Sequence, residues 1–146
     1  MPLTNIAPAR LEVRDTGSSR GRGVFALAAI PEGDCVEVAP VLVIKTDFDE
    51  LPALLQTYVF DWETLAGVAG AHALALGFGC MYNHHNPANL RYVADARESH
   101  MKFIAVRDIA AGEELTINYN AEGGAPTCDD NNWFERHDID LIDDPL

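Results

Sequence analysis

The sequence predicts a mainly β protein, built of short strands in small sheets with few short helices. Three observations carry that expectation. Its apolar and alternating runs are short; eleven Gly and eight Pro interrupt them; and no heptad or long, strongly amphipathic helix appears. At 146 residues the chain suits one domain with a sizeable core.

Arg10-Leu11-Glu12-Val13-Arg14 alternates like an edge strand, and residues 15–20 form a polar turn into Gly21-Arg22-Gly23-Val24-Phe25-Ala26. Glycines at 21 and 23 permit positive φ and close approach by a ligand, although the same pair suits a simple bend before a strand. A turn over 29–34 leads to a strand over 35–39. Pro40 is expected to break it, with a new strand at 41–44. The spacing of Leu51, Leu54, Leu55 and Tyr58 predicts a short helix within 47–58, capped by Asp49 and with Pro52 in its first turn. Residues 59–62 read as a strand, and the Ala-rich stretch 63–77 leaves helix and loop both open. Strands at 90–94 and 101–106 flank a hairpin link.

A weak internal echo aligns 25–34 with 104–113, where Ala, Ile and Gly coincide at three positions. It predicts two similar meanders. The second copy runs into Glu114-Leu115-Thr116-Ile117-Asn118-Tyr119, a strand ending on a tyrosine. The tail from Thr127 is strongly acidic yet carries Trp133-Phe134, so a disordered tail and a docked one both remain open.

Ten basic against twenty-three acidic residues give a formal charge of −13, and Lys45 and Lys102 are the only lysines. Nucleic acid would be repelled. Such a surface attracts basic peptides and proteins, and it also serves plain solubility. Cys35, Cys80 and Cys128 are too widely spaced for a disulfide framework or a zinc knuckle, which predicts a reducing setting, cytoplasmic or, in a eukaryote, nuclear. The start of the chain has neither a charged lead nor an apolar run, and no stretch approaches a membrane span, so neither export nor membrane insertion is expected.

Apolar sequence is broken most sharply at Met81-Tyr82-Asn83-His84-His85-Asn86-Pro87-Ala88-Asn89. These residues do not suit a continuing strand or helix and call for an irregular segment whose polar groups are satisfied by side chains or a ligand. A built site and a plain turn both fit. Adjacent His84 and His85, with His72, His100 or His137, lack the spacing of a metal site, so no metal is expected. Glu113-Glu114 reads as a solvated turn with no catalytic role.

Gly21-Arg22-Gly23-Val24-Phe25-Ala26, then Asn83-His84 with Asn89 six residues after Asn83, then Gly112-Glu113-Glu114-Leu115 ending in Tyr119, occur in one order. In that order and spacing they resemble the signature of the SET-domain family of S-adenosylmethionine-dependent protein-lysine methyltransferases. The resemblance spans residues 10–120 and implies a SET domain over 1–120 with a pseudoknot, cofactor and substrate meeting through a narrow channel. The remaining 121–146 would be an acidic segment whose aromatic pair closes the cofactor site. Carried over, Gly21, Arg22 and Gly23 line the methionine part of the cofactor. Tyr82, Asn83 and His84 form the cofactor loop, the last two holding its amino group and adenine. Tyr119 is the catalytic phenol near the sulfonium, Tyr92 a channel aromatic, and Trp133 or Phe134 covers the adenine.

The family's Asn-His-Ser-Cys-x-Pro-Asn appears here with His85 and Asn86 in place of Ser and Cys, and with Pro87 one place early. Asn118 stands where Asp is common, and the cysteine-rich segment that often follows is absent. The resemblance implies methylation of protein lysine, the acidic surface predicts a basic target such as a histone-like or ribosomal tail, and so short a domain, without flanking modules to shape a peptide groove, suits a homodimer. The alternative is a catalytically silent SET-like module that binds basic peptides or a partner.

Overall fold

The alternating residues near the start form β1 (Leu11–Asp15), which pairs antiparallel with β2 (Arg22–Ala26). The computed structural model describes residues 2–129, so the expectations on Trp133 and Phe134 lie outside the described residues. One sheet has the order β1-β2-β9-β6 and contains β6 (Asn83–His84) and β9 (Glu114–Ile117). The second has the order β4-β5-β3-β8-β7, with β3 (Cys35–Ile44), β4 (Phe60–Asp61), β5 (His72–Ala75), β7 (Leu90–Asp95) and β8 (His100–Ala105). A single apolar cluster draws on both sheets, with Val24 and Leu115 from one and Leu90, Met101 and Phe103 from the other. Burial of such side chains is worth about 1.5–3 kcal/mol each, which makes this cluster the main support of the fold.

Several local expectations are corrected. Pro40 does not break β3: residues 35–40 pair with β8 and residues 41–44 with β5. Proline falls where the ladder changes partner, so its missing N–H costs little, and its carbonyl still accepts from Leu76 N–H at 2.8 Å. The helix expected over 47–58 splits into a 3-10 turn, Phe48–Glu50, and α1 (Ala53–Gln56). Pro52 forces Leu51 into an extended conformation (ψ 146°), which separates the two. The strand expected over 59–62 is shortened to β4 at Phe60–Asp61, because α2 (Trp62–Ala66) begins at once, capped by the Asp61 carboxylate accepting from Thr64 N–H at 3.1 Å. Gly67 ends α2 in the left-handed region, and β5 emerges from the Ala-rich stretch.

The internal echo is a pairing device. Ile30 and Ile109 exchange two backbone hydrogen bonds at 2.8 Å. Gly33 N–H donates to Ala105 O, and its counterpart Gly112 N–H donates to Ala26 O, both at 2.8 Å. Ala26 N–H to Glu113 O and Ala105 N–H to Asp34 O complete the reciprocity. The two copies therefore clasp each other about a local pseudo-twofold, fixing β2 and the start of β9 relative to β8.

Candidate functional site

Residues 83–89 lie alongside β9. Asn83 and His84 form a two-residue strand parallel to β9, opposite Thr116 and Ile117, which corrects the expectation that these polar residues cannot form a strand. His85 N–H donates to Ile117 O, and Ala88 N–H to Pro126 O on the other side. Asn86 Nδ2 donates to Cys128 O at 2.8 Å, and His85 Nδ1 to Pro87 O at 2.8 Å. Asn89 is the anchor. Its Oδ1 accepts from Thr116 N–H and its Nδ2 donates to Glu114 O, both at 2.8 Å, and the residue is 1% exposed. The loop is thus fixed by Asn89 and the main chain, and His85 and Asn86 add side-chain bonds of their own. Asn118 is fully buried, with Oδ1 accepting from Asn120 N–H and Cys128 Sγ–H while Nδ2 donates to Pro126 O. Only an amide can do both, since a carboxylate has no donor.

On one side of this crossing sit Gly23, Asn83 and Glu114. Asn83 Nδ2 donates to Arg22 O at 3.0 Å and to Glu114 Oε2 at 2.8 Å. The Glu114 carboxylate also faces Arg20 at 3.6 Å, with both side chains only 6% exposed. A Cβ on Gly23 would come within 2.4 Å of Glu114 Oε2 and 2.9 Å of Asn83 Nδ2, so glycine is required by close approach. Gly21 is required by conformation, at φ +76°, and its surroundings are open. Glu114 is therefore a buried partner of Arg20 and Asn83, not a solvated turn residue. Glu113 alone is near solvent, where burial slightly opposes ionisation, but Arg107 at 2.7 Å and Asn89 prevail and hold its carboxyl below the usual range.

On the other side lies a cavity of about 620 Å³, whose walls include Tyr58, Phe60, Cys80, Tyr82, Tyr92 and Tyr119. Tyr119 follows β9 by two residues, since the strand stops at Ile117. Its hydroxyl donates to the Tyr82 carbonyl at 2.5 Å, and its backbone N–H donates to His84 Nδ1 at 3.0 Å. Tyr119 thus joins the cavity to the Asn83-His84 loop. Burial pushes its phenol well above its ordinary pKa, and Tyr92 is pushed up to about 12 by burial and the neighbouring Cys128. These phenols stay protonated and act as donors and walls, not as bases. His84 is held neutral, its pKa lowered to about 4 by burial, His85 and Arg20. Because Nδ1 accepts from Tyr119, the ring carries its proton on Nε2.

Of the residues singled out in the sequence, the structure brings Gly23 to Asn83, His84 to Tyr119, and Tyr82 and Tyr92 to the cavity. Gly23 and Asn83 do not line it. Tyr82 offers its carbonyl to the Tyr119 hydroxyl, while its side chain is buried with the hydroxyl on Glu37. Reading the sequence missed Arg20, Glu114 and Glu37. A lone acid within an otherwise apolar strand, as at Glu37, was the available signal; Glu114 gave none, because all four positions of β9 are buried and its sequence alternates polar with apolar. Among the described residues no group of three His, Cys, Asp or Glu side chains could hold a metal ion. No helix among them is long and apolar enough to cross a membrane.

A profile of the SET domain matches residues 21–120, which hold every one of these contacts apart from those of Arg20, Pro126 and Cys128. The chain belongs to the SET-domain family. It is 36% identical over 128 residues to a Schizosaccharomyces pombe histone-lysine N-methyltransferase specific for H3 lysine-37, spanning 86% of this chain and 77% of the relative. A crystal structure of a candidate histone methyltransferase from Plasmodium falciparum superposes with a TM-score of 0.62 at 24% identity, covering 80% of this chain and 97% of that one. That likeness concerns the fold. Membership in the SET family brings S-adenosylmethionine-dependent methylation of protein lysine.

Proposed function

We propose that this chain is a cytoplasmic protein-lysine N-methyltransferase whose target is a basic protein tail, histone-like or ribosomal, with Tyr119 as the catalytic phenol. The observation that carries it is Tyr119 itself, bound through its hydroxyl to Tyr82 O in the cavity and through its N–H to His84 in the loop behind. The S. pombe relative, by its name a histone methyltransferase, supports a target of that kind. So does the charge: among the described residues Asp61 lines the cavity and no Lys or Arg does, on a chain of net charge −13.

The residues facing away from the cavity fit the cofactor's chemistry. Asn83 spends Nδ2 on Arg22 and Glu114, which leaves Oδ1 as an acceptor for an α-ammonium, while the exposed Arg22 guanidinium suits an α-carboxylate. The open surroundings of Gly21 leave room for a ligand against the main chain. S-adenosylmethionine supplies an electrophilic methyl on a sulfonium. The pseudoknot, and closure of the cofactor side by Trp133 or Phe134 after a domain ending near residue 120, belong to the same proposal.

Methyl transfer to an amine is an in-line displacement, so alignment is the main task and can contribute roughly 7–11 kcal/mol. The Tyr119 and Tyr92 hydroxyl oxygens and the Tyr82 carbonyl orient the lysine amine by accepting from its N–H groups, which leaves the nitrogen lone pair for the methyl carbon. A lysine of ordinary pKa about 10.4 must lose its proton before it attacks, and withdrawal from water into this aromatic-walled cavity lowers that value. Tyr119→Phe is expected to abolish or strongly cut methyl transfer to a panel of basic proteins while calorimetry still registers cofactor binding. Unchanged turnover would remove Tyr119 from its role. Heat indistinguishable from dilution on adding S-adenosylmethionine to the wild type would favour the silent module.

A further inference from the structure

Glu37 is an acid in the middle of an otherwise apolar strand, Cys35-Val36-Glu37-Val38-Ala39, and it faces inward with 6% exposure. Its partners are two hydrogen-bond donors. Oε1 accepts from the Tyr82 hydroxyl at 2.5 Å, and Oε2 accepts from Phe78 N–H at 2.8 Å. Burial raises its pKa, against the lowering effect of those two bonds. Gly77 just before is at φ +64°, and a Cβ there would stand 2.6 Å from Oε2, so the chain approaches this carboxylate as closely as glycine permits. An apolar residue of similar volume would avoid the cost of burying the acid. The acid must therefore secure something an apolar residue would not.

What it secures is the segment 78–82. Glu37 ties down Phe78 at one end and the Tyr82 ring at the other, and the Tyr82 ring also packs on Phe103 with centroids 4.6 Å apart. Gly79, Cys80 and Tyr82 of this segment line the cavity. The Tyr82 carbonyl at its end accepts the Tyr119 hydroxyl at 2.5 Å. We propose that Glu37 is a positioning residue for methyl transfer: by fixing Tyr82 at its hydroxyl it fixes the carbonyl of the same residue, and so aims the Tyr119 hydroxyl into the cavity. The inference rests on the reading of Tyr119 as the catalytic phenol.

The test uses the full chain with S-adenosylmethionine and mixed core histones, comparing Glu37→Leu, Tyr82→Phe, their double variant and Tyr119→Phe. Tyr82→Phe deletes one oxygen and is the milder change should Glu37→Leu fold poorly. Each single variant should lower kcat on the order of tenfold, since small misplacements at a reacting centre are costly. Substrate KM and the cofactor Kd should stay within about twofold. The double variant should lose no more than the larger single loss, because both act through one bond. Wild-type kcat in Tyr82→Phe and Glu37→Leu, with only a lowered Tm, would reduce Glu37 to a core polar group and overturn the proposal. So would kcat losses that multiply in the double variant. Turnover retained by Tyr119→Phe would instead overturn the reading beneath it.

Discussion

Gly23→Ala tests the junction of β2, the Asn83 loop and β9 in one methyl group. The added Cβ would stand 2.4 Å from Glu114 Oε2 and 2.9 Å from Asn83 Nδ2, closer than real contacts allow. Glu114 cannot simply swing aside, because Asn83 holds Oε2 at 2.8 Å and Arg20 faces Oε1 at 3.6 Å in a site 6% exposed. The variant is therefore expected to break the Asn83–Glu114 bond, a hydrogen bond to a charged group worth about 1.5–3 kcal/mol. For a domain of this length that corresponds to a fall in Tm of about 5–10 °C, read by thermal unfolding. Displacing Asn83 should also weaken S-adenosylmethionine binding about tenfold, or 1.4 kcal/mol, in a calorimetric titration. In a Glu114→Ala background, itself destabilised, the same glycine substitution should cost less, because the nearer of its two obstacles has gone and Asn83, released from Glu114, can give way. A Gly23→Ala protein with the wild-type Tm and cofactor affinity would refute the packing argument.

Two further outcomes follow from the site. His84 titrates near 6.5 when unfolded but near 4 when folded, so between those values only the unfolded chain takes up the proton. Its contribution to stability is therefore intact above pH 6.5, falls as pH drops towards 4, and levels off below; urea midpoints of wild type against His84→Gln should converge across that window. Asn89→Ala orphans Thr116 N–H and Glu114 O, both buried, and should cost about 2–4 kcal/mol in chemical unfolding. A loss below about 1 kcal/mol would show that the loop is anchored elsewhere.

Much of this protein was legible in its residues. Strands expected over 10–14, 90–94 and 101–106 form within one residue of those bounds, the first of them legible because side chains on a pleated strand must sort by face. The order of the glycine bend, the Asn-His pair and the terminal tyrosine pointed to the family, since each residue type there meets a backbone or donor requirement that few others meet. The echo of 25–34 in 104–113 was visible as a likeness, though its reciprocal hydrogen bonds were not. Local pattern failed at Pro40, at 47–58 and at the Ala-rich 72–75. There a change of strand partner, the conformation imposed before a proline and burial in a central sheet decide the structure, and none of these is written in a short window.

What the sequence determined by itself is the set of groups available: imidazoles, amides with both donor and acceptor, phenols and carboxyls. Only the tertiary structure decided which of them meet. Gly23 is obligatory because Glu114 and Asn83, far away in the chain, converge on it. Glu37 matters because it reaches Tyr82, forty-five residues away, whose carbonyl holds Tyr119. Such partnerships are properties of the folded core, where each buried polar atom must find a partner, and the chain's order carries no record of which it will be.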